Sequence, residues 1–336
     1  MDLSYPPAVQ ESLDRIGKAL AEVAVRDEVA AAGQQPTLWQ TQPSRNGHAT
    51  PAAGPLAQVL EFQALGAYAL PLSELLARAG RSYVPLPGSG GPVALGFPDA
   101  SAPWEPGDPL GVALRGGKLT GSVSVAPFCV PAGGVVFLAQ DGSDAALVEA
   151  PAEAGKVERV GDAFGLQLEV APAQVLATGD AAIQAWTTAV LWERLALAGL
   201  TLGVIDRSWR IALDALCEGK RQGQILADEQ VAQFQLADND IERLSAQHLI
   251  HDAAIDAEKG KASAKDKLSL VRYYTSGQAE RCAARALHVA QLFTPRLVPV
   301  ARWLTQRAHH LSVFGLAREH EVRLAVAGLA GGLNLE

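Results

Sequence analysis

Glu193 and Arg194 stand side by side in the run Trp192-Glu193-Arg194-Leu195-Ala196-Leu197, where every other residue is apolar. A carboxyl group set in an apolar wall loses hydration, and that disfavours its charged form. Its pKa rises toward the range in which a general base works at neutral pH. A Glu-Arg pair early in a helix is also what the helix dipole favours, so the pair alone assigns no reaction. The other reactive-looking patterns have plainer readings. His248, His251 and Asp252 fall at i, i+3 and i+4, a spacing that can meet a metal, but no further ligand group accompanies them, and they read as a solvated helix face. His309-His310 reads as a surface pair on a helix. Gly260-Lys261-Ala262-Ser263 lacks the spacing of a phosphate loop and reads as a charged loop. Cys217, on an apolar helix, is expected in the core rather than as a nucleophile.

The elements that must position Glu193 follow from periodicity. Leu195, Ala198, Leu202, Ile205 and Trp209 recur at helical spacing, followed by Ile211, Ala212, Leu213 and Leu216. A polar break, Glu218-Gly219-Lys220-Arg221-Gln222-Gly223, ends that helix. A second begins at Asp228-Glu229-Gln230 and carries Val231, Phe234, Leu236 and Ile241. Two long helices joined by a short charged elbow are neighbours in a bundle.

Upstream, residues 8–31 read as an amphipathic helix, 34–55 as a polar loop, and 56–80 as helical again, with Pro71 able to start its last segment. From Val84 to Thr178 the period changes. Short runs divided by Gly, Pro and Asp (Val93–Leu95, Gly111–Leu114, Lys118–Val125, Val135–Ala139, Ala146–Glu149, Leu166–Val170) predict an antiparallel β-domain. Downstream, 228–257 and 266–293 are long amphipathic helices, Pro295 and Pro299 interrupt, and a last helix spans Gln306 to Leu329. The chain is therefore α+β, in three expected domains: a helical region over 1–85, a middle antiparallel β-domain over 86–180, and a C-terminal four-helix bundle over 181–336.

Composition narrows the class. A net charge of −8 without a basic stripe argues against nucleic acid. Three widely spaced cysteines, Cys129, Cys217 and Cys282, fit a reducing cytoplasm rather than a disulfide framework. The opening MDLSYPPAVQESLDRI has no secretory pattern, and no run of 18 apolar residues predicts a membrane span.

The stretch 191–234 resembles the C-terminal helical domain of the acyl-CoA dehydrogenase family. Glu193-Arg194 falls where the isovaleryl-CoA dehydrogenase branch has its catalytic Glu-Arg. The register runs without a gap to Gly223, and Leu226 and Gln230 fall on the family's Leu and Gln. Pro71-Leu72-Ser73-Glu74-Leu75-Leu76-Ala77 and the segment GKLTGSVSVAPFCVPAGGVVFLAQ resemble two further family patterns. The helix–strand–helix order agrees.

The resemblance implies an acyl-CoA dehydrogenase-like fold, FAD as cofactor, an acyl-CoA substrate, Glu193 as the base that takes the α-proton, and Arg194 beside the substrate. It places flavin contacts at Phe97, Pro98, Val125 and Pro127, and a substrate contact at Ser101. Several family groups are replaced. Val125-Ala126-Pro127 stands at the Trp-Ile-Thr strand, Gly219 at the elbow arginine and Gln222 at the elbow phenylalanine. Ala286-Leu287-His288-Val289-Ala290 stands at the Gln-Leu-His-Gly-Gly turn that approaches the pyrophosphate, and Thr294-Pro295-Arg296 at the more common base. These losses resemble the short, degenerate subunit of bacterial heterotetrameric (α₂β₂) steroid side-chain acyl-CoA dehydrogenases. The expected partner is then a homologous subunit that shares FAD and clamps its pyrophosphate, on a steroid side-chain CoA thioester. The alternative is a non-catalytic subunit that stabilises an active partner.

Overall fold

The structure, a computed structural model, describes residues 5–18, 20, 54–68, 75, 84, 86, 93–98, 109–125, 134–151, 155–160, 163–172, 174–261 and 263–313. Helix α1 covers residues 7–18. Helix α2 is Pro55–Gly66, with its proline in the first turn, where no intrahelical N–H is lost. The rest of the expected helices over 8–31 and 56–80, including Pro71, lies mostly outside the described residues.

Eight strands follow: β1 (Val93–Phe97), β2 (Val112–Arg115), β3 (Lys118–Val125), β4 (Gly134–Asp141), β5 (Asp144–Pro151), β6 (Gly155–Val160), β7 (Ala163–Val170) and β8 (Gln174–Thr178). They form one sheet in the order β6-β7-β3-β1-β4-β5-β8, with β2 beside β3 and β4. The expectation of an antiparallel sheet needs correction, because β1 runs parallel to β4 and antiparallel to β3. Strands β3 and β4 flank β1 on opposite sides and run in opposite directions, so one of them must lie parallel to it. Every strand read from the sequence is present. The two that were not read, β6 and β8, are the two ends of the strand order.

Helix α3 is Asp180–Glu218, 39 residues in one piece, and starts well before Trp192. It holds no run of 18 apolar residues, as expected, yet by length and mean hydropathy it is apolar enough to cross a membrane; 78% of its most apolar window is buried in the fold. It is a core helix here because other elements cover it nearly all round. The elbow is a hairpin, β9 (Lys220–Arg221) against β10 (Gln224–Ile225), turned by Gln222 and Gly223 at φ 53° and 86°, the double-positive backbone of a two-residue turn. Helices α4 (Gln230–Glu258), α5 (Ala264–Phe293) and α6 (Val298–Val313) complete the described chain. Pro299 sits in the first turn of α6 instead of interrupting it, so that helix starts before Gln306. Its expected continuation to Leu329 lies outside the described residues.

The tightest packing is between α2 and α3. A Cβ on Gly199 would strike the Val59 carbonyl, and one on Gly203 the Gln63 carbonyl. Glycine at both sites lets the two backbones touch. At the end of α2, Arg307 on α6 donates to the carbonyls of Gly66 (3.3 Å) and Tyr68 (2.7 Å), supplying donors to carbonyls that the helix leaves open. Buried Arg272 on α5 ties the bundle centrally, bonding Thr201 Oγ1 on α3 (3.2 Å) and the Leu311 carbonyl on α6 (3.0 Å).

Candidate functional site

Glu193 and Arg194 lie in the first half of α3 and are 3% and 7% exposed. The apolar wall is present, since Leu195 and Leu197 beside them are buried. Two turns earlier on the same face sits Trp186, also buried. Its ring meets Phe97 from the end of β1, centroids 5.4 Å apart and planes tilted by 59°. Phe97 pairs with Ser124 and Gly96 with Val125 across β1 and β3. Val125 is fully buried, and Pro98 follows directly after β1.

The structure therefore brings Phe97, Pro98 and Val125 together where β1 meets β3 in the middle of the strand order, with Phe97 against the start of α3 and Glu193 about 10 Å further along that helix. Ser101 and Pro127 lie outside the described residues. Trp186 is one contact that joins sheet to helix, and it was not singled out from the sequence. Its spacing of seven from Glu193 was the available signal.

The remaining candidates separate. Asp252 is exposed and accepts from Lys267 Nζ at 2.9 Å. His251 is half-buried, and burial, with His248 nearby, lowers its pKa. No group of three metal-ligating side chains exists among the described residues. Gly260 and Lys261 form the charged loop expected, in which buried Asp256 lies 3.0 Å from Lys261 and 2.5 Å from Lys267. Cys217 is exposed, not in the core, because the last turn of α3 buries Leu216 and turns Cys217 and Glu218 outward. Cys282 is the buried thiol, and burial pushes it up to about 11. His309 is exposed and paired with Glu280 (3.2 Å), whereas His310 turns into the bundle.

The residues aligned with a pyrophosphate arm do not fit that task. Residues 286–290 are internal turns of α5, which runs unbroken to Phe293 and is closed by Thr294 N–H on the Ala290 carbonyl at 2.9 Å. Backbone amides inside a helix already donate to carbonyls four residues back and cannot cradle phosphate. Ala286 and Ala290 face the core. At Gly219 a Cβ would lie 2.6 Å from Leu226 Cδ1 and 3.0 Å from Phe293 Cβ, so packing fills the place of the elbow arginine. Arg296, at the aligned base, forms an ion pair with Glu218 at 2.5 Å. Where β1 meets β3, Phe97 rests on Trp186 and Val125 offers no side-chain donor. The described residues at the aligned pyrophosphate arm offer no cradle for the pyrophosphate of FAD.

Residues 183–306 match the family model of the acyl-CoA dehydrogenase C-terminal domain. The chain has the acyl-CoA dehydrogenase fold. It is similar over nearly its whole length to three solved structures. Butyryl-CoA dehydrogenase from Megasphaera elsdenii shares 15% identity, with 98% of this chain and 99% of that chain covered and a TM-score of 0.66. A chain of the ChsE4-ChsE5 complex from Mycobacterium tuberculosis shares 16%, covering 98% and 99%, at 0.67. A chain of a Tcur3481-Tcur3483 steroid acyl-CoA dehydrogenase variant shares 20%, covering 96% and 100%, at 0.65. No curated protein matches the sequence.

Proposed function

We propose that this chain is the flavin-free subunit of a heteromeric acyl-CoA dehydrogenase, in which a homologous partner holds FAD and this chain completes and stabilises the assembly. The observation that carries the reading is the unbroken helix through residues 286–290, next to the filled position at Gly219. A homodimer of this chain would have no phosphate clamp in either site. A heteromer needs only one. The likeness to chains of two-component structures, one of them named a steroid acyl-CoA dehydrogenase, supports a partner of the same fold and a steroid-type acyl-CoA as substrate. An α₂β₂ assembly in the cytoplasm is the arrangement we infer. The exposed apolar residues of α4, Val231, Phe234 and Ile241, are consistent with a covering subunit.

One observation favours a second reading. Glu193 and Arg194 sit together in a buried apolar wall on α3, the setting that suits an α-proton base acting toward a flavin whose pyrophosphate the partner clamps. FAD supplies hydride acceptance when bound; the carboxylate would hold the proton.

Two measurements separate the readings. The lone chain is expected to purify colourless, and the complex yellow, with one flavin per heterodimer. A yellow lone chain that oxidises acyl-CoA overturns the proposal. Glu193→Gln in the complex leaves turnover intact under the first reading and removes at least about a hundredfold of it under the second.

A further inference from the structure

A cavity of about 510 Å³ opens where α1, α2, α3 and α4 meet, lined on its inner side by Ile16, Leu20, Leu60 and Ala64. Its polar groups include Gln63, Asp206, Arg207 and Arg210, with Gln247 from α4 and the tyrosines Tyr5 and Tyr68. Arg210 lies 17 positions beyond Glu193 on the same straight helix, about 25 Å along the axis. The cavity is therefore separate from the Glu193 wall, and nothing in the proposed flavin arrangement uses it.

The charges at this cavity are unbalanced. Asp206 accepts from Gln63 Nε2 at 2.6 Å and pairs with Arg243 at 3.4 Å. Arg243 is itself fixed, 2.7 Å from Asp240 and stacked 5.1 Å from the Trp209 ring centroid. The one acid of the lining thus shares with Asp240 a cation that lies outside it. Arg210 is exposed at the mouth and makes no ion pair or hydrogen bond among the described residues. A half-open cavity of a size that holds small molecules, with an apolar inner wall and the exposed Arg210 guanidinium at its edge, matches an apolar body that ends in one anionic group.

We propose that this cavity binds an amphipathic carboxylate, with its apolar body against α1 and α2 and its carboxylate on Arg210. Gly17 gives a direct way to block it. Gly17 belongs to the lining, and a Cβ built there meets nothing within 4 Å. The first side-chain atom there enters open space, and the change replaces glycine inside a helix, which favours folding.

The test is isothermal titration of the chain, alone and in its complex, with dodecanoate and with deoxycholate below their micellar concentrations. Dodecanol serves as the uncharged control. We expect saturable binding of one carboxylate per chain, and dodecanol at least about tenfold weaker. Arg210→Ala should weaken carboxylate binding about tenfold. Gly17→Phe should abolish binding while the melting temperature holds or rises. Whichever carboxylate binds more tightly identifies the body as chain-like or ring-like, and either result supports the site. Absence of saturable binding overturns the proposal. So does equal binding to wild type and both variants, or dodecanol binding as tightly as the carboxylates. Because no readout involves flavin or turnover, these outcomes are independent of the subunit's role in catalysis.

Discussion

The contact of α2 with α3 and the outer face of α4 have much the same apolar spacing in sequence, yet they end in opposite environments. At the first, glycines 199 and 203 bring two backbones together, and Val59, Phe62 and Leu202 are wholly buried. At the second, Val231, Phe234 and Ile241 are 68%, 61% and 63% exposed. The difference teaches that helical periodicity identifies a face that seeks cover without saying which molecule provides it. The first face is satisfied within the chain. The second is left for the homologous partner of the proposed assembly.

That comparison can be broken in order of expected effect. Gly203→Leu should be the most damaging change, because its side chain would strike the Gln63 carbonyl and push α2 away. A loss of about 3 kcal/mol is expected in urea denaturation, and wild-type stability would show that the crossing is looser than described. Arg272→Met keeps volume but strips the donors held by Thr201 and the Leu311 carbonyl. It should cost about 2 kcal/mol by the same assay. The double change Phe234→Ser with Ile241→Ser should shift lone-chain stability by less than about 0.5 kcal/mol. It should weaken association with the partner at least about tenfold, read by analytical ultracentrifugation. If assembly is unaffected, α4 is not the covered face.

The smallest effect concerns acid. Lys267 and Lys261 hold the Asp256 carboxyl below the usual carboxylate range. Its folded-state pKa is depressed, so its contribution is present above the unfolded pKa and is lost as pH falls from about 4 toward the folded value. Asp256→Asn should flatten that part of a plot of urea midpoint against pH and leave the rest unchanged.

Much of the architecture was legible because its signals are local. The six strands that were read alternate or run apolar between Gly, Pro and Asp. The elbow announced itself through Glu218 to Gly223. Gly155–Val160 and Gln174–Thr178 were not read, since edge strands pair on one side only and need less apolar sequence. The parallel β1–β4 pairing was hidden because it depends on which side of β1 each neighbour takes. At the candidate site, the residue types at Gly219 and Ala286–Ala290 already spoke against a phosphate clamp. What one dimension could not give was the reason in the backbone. Position 219 is filled by Leu226 and Phe293, which are near it only in space, and the helical state of 286–290 belongs to a whole helix. Trp186 was missed for the same reason, because its meaning lies in touching Phe97 from another element.

The unbroken α5 also bears on whether the chain could regain what it lacks. Returning arginine to position 219 would first require Leu226 and Phe293 to retreat, and two new glycines near 289 would still sit within a cooperative helix thirty residues long. Helix–coil cooperativity resists opening one internal turn. Each single substitution on the way back therefore costs stability before it returns any phosphate contact. Such a path runs uphill at every early step and works as a ratchet: in the proposed assembly, backbone geometry more than any single side chain keeps the phosphate clamp with the partner.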